Sequence, residues 1–213
     1  MDFSRLLELV GDAPVFESAL LLVGDVEPTQ VYLQLSRWTA NGRIYQLRRG
    51  LYALAPPFQK VKPHPFVIAN HMVRVSYVSC QSALAHYGLI PEYVPTTVSV
   101  TTARPARRET PMGIFEFSHI KPNLLHGYRL TDLGEGQQAF IATPEKALLD
   151  WIYLQPGSDS PAFIRELRLQ NLENFDLDEL HLQAEYFSIP KMKRAEGFIA
   201  EVVRAEIQEY ESL

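Results

Sequence analysis

Apolar residues in the N-terminal part of the chain repeat at helical spacing and then give way to short strand-like runs. Phe3, Leu6, Leu7 and Val10 share one helical face, and Gly11-Asp12 ends that run. Pro14 suits the first turn of a second helix reaching about Leu22, where Gly24-Asp25 breaks it. Pro28 opens a third helix to about Ala40, and Asn41-Gly42 is a favoured exit from helix into turn. Arg43–Leu47 and Leu51–Leu54 then read as two strands around a tip of Arg48, Arg49 and Gly50. Three helices followed by a hairpin is the order of a winged helix-turn-helix.

The pattern changes at APPFQKVKPHP (55–65), whose four prolines predict a stiff, extended linker. Ser79–Tyr87 fits a short helix with Ser79 as cap and Gly88 as terminator. Thr96–Thr102 is β-rich with Val98 and Val100 alternating, and Ile114–Ile120 and Gln138–Ala142 are further strands. A helix follows Thr143-Pro144-Glu145, with Leu148, Trp151 and Ile152 as its buried face. The last fifty residues read as two or three helices, the amphipathic stretch from Pro190 to Tyr210 closing a core. No internal repeat interrupts this order. The fold class is therefore α+β: a winged helix-turn-helix over 1–56, a Pro-rich linker over 57–66, and a mixed α/β C-terminal domain with a helical tail over 67–213.

Composition narrows the class of protein. With 213 residues, 46% hydrophobic, 21% charged and a mean hydropathy of −0.09, the chain has the makings of a packed globule. No apolar run reaches 18 residues, and MDFSRLLELVGDAPV lacks a basic, apolar secretory leader, so no membrane partner is expected. Cys80 is the single cysteine, which excludes an internal disulfide and fits a reducing, cytoplasmic setting.

Charge changes the picture more. The net charge is −5, yet residues 28–108 carry ten bases against one acid, Glu92, and no Asp or Glu lies between Pro28 and Pro91. Residues 109–213 carry eighteen acids and nine bases. The basic block is either a surface for an anionic partner or the counterpart of the acidic half.

The third helix favours the first reading. Gln30, Gln34, Arg37 and Asn41 are spaced four, three and four apart and form one polar stripe, while Val31, Leu35 and Trp38 form an apolar one. Arg, Gln and Asn are the side chains that bond base edges in a major groove, and a merely solvated face usually carries Glu and Lys. Leu33 flanks the stripe, placed for a thymine methyl or a packing neighbour. Thr29 and the helix N-terminus are candidates for phosphate contacts, and Arg43, Arg48 and Arg49 are the corresponding candidates on the hairpin, with Gly50 allowing the reversal. The partner implied is double-stranded DNA. Winged helices also serve as protein-interaction modules, and that alternative stays open.

Catalytic readings are thinner. Glu145, Lys146 and Asp150 resemble the raw material of a metal-dependent nuclease, but at helical spacing Glu145 diverges from the shared face of Lys146 and Asp150. The six histidines form no HxH or HxxxH pair, and neither GxxxxGK[ST] nor GxGxxG occurs, so no metal, cofactor or enzymatic activity is expected. Cys80 reads as a small buried side chain.

Four motifs, RRGLYAL (48–54), YVSCQSALAHYGLIP (77–91), VPTTVSVTT (94–102) and ATPEKALLDWIYL (142–154), occur in an order and spacing by which the chain resembles the AbiEi-type antitoxins of abortive-infection toxin–antitoxin systems. These are described as predicted transcriptional regulators of viral, or phage, defence. The resemblance implies an N-terminal winged helix-turn-helix that represses its own operon at promoter repeats, with a homodimer on the DNA as one arrangement. It also implies a C-terminal domain that counteracts a cognate nucleotidyltransferase-like toxin, whether or not by direct contact. The N-terminal lead is shorter than in longer relatives, and the last fifty residues match only as a helical tail.

Overall fold

A computed structural model describes the backbone of residues 1–24 and 26–211 and side chains to residue 208. The class is α+β, with eight α-helices and two sheets among the described residues. Helix α1 (Phe3–Val10) starts where the Asp2 carboxylate accepts from the Arg5 N–H at 2.8 Å. The second helix expected from Pro14 is not formed. Phe16–Glu17 is instead a short strand, β1, followed by a 3-10 turn over Ser18–Leu22. Pairing decides this: Phe16 and Glu17 lie opposite Tyr52 and Leu51, and the Ser18 N–H donates to the Gly50 carbonyl at 2.9 Å. Those tertiary bonds outweigh local helix preference.

Helix α2 (Pro28–Ala40) has the expected bounds, with Asn41 at its C-cap. The hairpin β2 (Ile44–Arg48) and β3 (Leu51–Leu54) completes a three-stranded sheet of order β1-β3-β2. A small core forms beneath it from Leu6, Val31, Leu35, Trp38, Ile44 and Leu54, among others. The other side of the hairpin is also covered. Leu47, Leu51 and Ala53, with Val15, belong to the larger core of the rest of the chain. As the central strand of its sheet, β3 is buried along its whole length.

Helix α3 (Pro65–Met72) begins inside the stretch expected to be linker, with the His64 imidazole accepting from the Phe66 N–H. Then follow β4 (Ser76–Val78), α4 (Cys80–His86), β5 (Thr96–Thr101), β6 (Ala106–Thr110), β7 (Gly113–His119), β8 (Tyr128–Asp132) and β9 (Gln138–Ala142). They make one mixed sheet of order β6-β7-β5-β4-β9-β8, in which β5 runs parallel to β7 and β4 parallel to β9. Helices α5 (Pro144–Leu154), α6 (Pro161–Glu166), α7 (Leu177–Phe187) and α8 (Pro190–Glu211) finish the chain. Helix α8 spans the amphipathic stretch, and its Ile199 and Val203 are buried in the larger core. Two local expectations are corrected. Ser79 stands at the N-cap of α4, but its hydroxyl turns to Asp150 and caps nothing. Helix α5 is buried on nearly all sides, polar residues included, and Trp151 is only half-buried.

Candidate nucleic-acid interface

Helix α2 turns Val31, Leu35 and Trp38 into the small core. Of the polar stripe, Gln30, Arg37 and Asn41 are exposed, whereas Gln34 is half-buried because it borders the core stripe. The outward centre of the helix is formed by Thr29, Leu33, Ser36 and Ala40, all exposed. Tyr32 is 48% exposed and Leu33 42%, large values for such side chains on a short unit. Tyr32 and Ser36 also flank a groove whose opposite wall is Gln46 and Tyr52 of the hairpin. Helical spacing sets Leu33 beside the polar stripe, and Tyr32 and Ser36 lie outside both stripes. Their legible signal was a Tyr and a Ser on the face away from Val31, Leu35 and Trp38.

The start of α2 differs from expectation. The Glu27 carboxylate accepts from the Thr29 N–H at 3.2 Å and the Gln30 N–H at 2.9 Å. The Thr29 side chain first, and then the Gln30 N–H, hold the Glu27 carboxyl below the usual range. The helix N-terminus is thus already satisfied by an anion of the chain itself, so it has no free N–H pair here for a phosphate. The signal was a Glu directly before Pro28-Thr29.

The hairpin arginines separate. Arg43 is exposed, its guanidinium 4.9 Å from the centre of the Phe3 ring. Arg49 is exposed and makes no side-chain hydrogen bond or ion pair among the described residues. Arg48 is turned inward, its side chain 25% exposed, donating to the carbonyls of Arg49 at 3.0 Å and His71 at 3.2 Å and pairing with Glu17 at 3.4 Å. Glu17 also accepts two hydrogen bonds from Arg74, at 2.9 and 2.8 Å. Arg74, with Arg48 beside it, holds the Glu17 carboxyl below the usual carboxylate range. Burial pushes the neighbouring His71 down, with Arg74 and Arg48 adding to the effect and Glu17 opposing it. The structure therefore brings Thr29, Gln30, Arg37, Asn41, Arg43 and Arg49 to the surface of one small unit, and ties Arg48 to residues far away in sequence.

Glu145, Lys146 and Asp150 do not form an open site. Lys146 and Asp150 have no exposed surface and pair with one another across one turn of α5. The Asp150 carboxylate also accepts from the Tyr77 hydroxyl at 3.0 Å and the Ser79 hydroxyl at 2.7 Å. Lys146 lies 5.0 Å from the centre of the Phe187 ring. Glu145 accepts from the Asp176 N–H at 3.0 Å. Burial and the adjacent Asp150 charge push both the Tyr77 hydroxyl and the Cys80 thiol up, which disfavours the thiolate form. Among the described residues no group of three His, Cys, Asp or Glu is placed to hold a metal ion. Among the described residues no helix is long and apolar enough to cross a membrane. Comparison of the chain with protein-family models and with curated proteins returned no match.

Proposed function

We propose that the chain is a DNA-binding autorepressor with antitoxin activity, its N-terminal unit acting as a winged helix-turn-helix. The observation that carries the DNA reading is the surface of α2 and the hairpin. Thr29, Gln30, Arg37 and Asn41 stand exposed on one element, Arg43 and Arg49 on the next, within a stretch free of Asp and Glu from Pro28 to Pro91. The order α1, β1, turn, α2, hairpin supports the winged-helix reading, with α2 as the recognition helix. In this arrangement Arg43 and Arg49 contact phosphate, and Gln30, Gln34, Arg37 and Asn41 read base edges.

Fluorescence anisotropy on the DNA upstream of its own gene, beside a scrambled duplex of equal length, tests the reading. Preference for the upstream DNA is expected, and equal binding to both duplexes overturns the repressor assignment. Arg37→Ala should reduce that preference by about 1–3 kcal/mol, with Gln34→Ala smaller because Gln34 is half-buried.

The antitoxin half of the proposal rests on the four family motifs. Co-expression with a neighbouring nucleotidyltransferase-like gene should restore growth that this gene alone arrests. Persistent arrest overturns it.

A second reading is favoured by one observation. Leu20, Val23, Val26, Tyr32 and Leu33 are exposed apolar side chains of the same N-terminal unit. They suit a protein-interaction module. Co-purification of a partner through this unit, without binding to the upstream DNA, would select that reading.

A further inference from the structure

A cavity of about 700 Å3 opens between the start of α4, the C-terminal half of α5, α6 and strands β5 and β7, away from α2 and the hairpin. Its size suits a small molecule. Its walls combine two kinds of group. Trp151 and Phe163 meet edge to face with ring centres 5.9 Å apart, and Tyr93 stands at the rim with 89% of its surface exposed. An aromatic side chain left so open has no packing reason on the chain itself. The second kind is carboxylate: Glu92, Glu116 and Glu166 line the cavity, and among the described residues no Lys, Arg or His does.

The three acids are not equivalent. Glu92 is held by Arg168, which keeps its carboxyl below the usual range. Glu116 and Glu166 make no side-chain hydrogen bond or ion pair among the described residues. Glu116 is half-buried on β7, with Val98 beside it on β5 and Arg107 opposite on β6. Arg107 pairs with Glu109 instead. A half-buried carboxylate that makes no ion pair among the described residues, at the wall of an aromatic-sided cavity, is placed to meet the charge of a bound cation.

We propose that this cavity binds a small organic cation, an ammonium or guanidinium group carried on an apolar stem. The stem lies against Trp151 and Phe163, the charge faces Glu116 and Glu166, and Tyr93 closes over the cation by the attraction of its ring face. This inference does not depend on DNA binding.

Benzylammonium is a suitable probe, with benzyl alcohol and benzoate as neutral and anionic counterparts of nearly the same shape, titrated by calorimetry against the full chain. Saturable binding of benzylammonium is expected, with both counterparts at least about tenfold weaker. Glu116→Gln, which keeps the side-chain shape, should weaken benzylammonium about tenfold. Tyr93→Ala, at an exposed position that cannot disturb folding, should weaken it roughly three- to tenfold. Glu201→Gln, on exposed α8 surface, should leave it unchanged. Equal binding of benzyl alcohol, an unchanged affinity in Glu116→Gln, or no saturation by about 10 mM would each overturn the proposal.

Discussion

Arg48 and Arg49 are adjacent in sequence and opposite in circumstance. Arg49 has no side-chain partner among the described residues and is placed to meet phosphate, whereas the Arg48 guanidinium is committed to Glu17 and the His71 carbonyl. Arg49→Ala should therefore leave stability unchanged and lower the slope of log affinity against log salt by about 0.9. Arg48→Ala should instead cost about 0.5–1 kcal/mol in urea unfolding, with a smaller effect on DNA affinity. Glu17 carries a pH signature. Its carboxyl is held low by Arg74, so the folded state takes up this proton later than the unfolded chain as pH falls. The stabilisation is complete above the usual carboxylate range, about 4.3, and is lost as pH drops through the lower folded value. Thermal melts of wild type and Glu17→Gln should differ by a constant margin near neutral pH and converge in acid.

At the scale of elements, α2 and α5 show what could be read and what could not. Proline and Asn41-Gly42 marked both ends of α2, because capping chemistry is local. Helix α5 was also found by its Thr143-Pro144 start, and the Thr143 hydroxyl does accept from the Lys146 N–H at 3.3 Å. Its burial was not legible, since Lys146 and Asp150 look like surface residues until Tyr77 and Ser79 arrive from β4 and its turn. Asp150→Ala should cost about 3–5 kcal/mol by leaving the Lys146 charge buried and unpaired. Replacing both, Lys146→Met with Asp150→Leu, should recover part of that loss. Recovery stays incomplete because the Tyr77 and Ser79 hydroxyls still lack their acceptor. Chemical denaturation of both variants measures the difference. The strands β4, β6 and β8 went unread for a related reason: β4 has only three residues, and charged residues interrupt the other two, Arg107, Arg108 and Glu109 in β6 and Arg129 and Asp132 in β8. Pairing with β5, β7 and β9 makes them strands.

Across the whole molecule, the hairpin is shared by two cores. Ile44 and Leu54 face the small one, and Leu47, Leu51 and Ala53 the large one. A single cooperative unfolding transition is therefore expected for the full chain, and Leu51→Ala should shift that transition by about 2–5 kcal/mol without splitting it. A fragment of residues 1–56 alone would expose Leu47, Leu51 and Ala53, and should melt well below the full chain in circular dichroism.

By itself the sequence determined helix ends, the two hairpin strands, the polar stripe of α2 and the uneven charge, because caps, turns and periodicity act over a few residues. Tertiary structure decided which residues are available. It drew Phe16 and Glu17 out of a helix into β1, turned Arg48 inward to Glu17, and sealed Lys146 and Asp150 beneath Tyr77 and Ser79. Most of these outcomes depend on partners dozens of residues away, and burial, unlike periodicity, belongs to the folded chain as a whole.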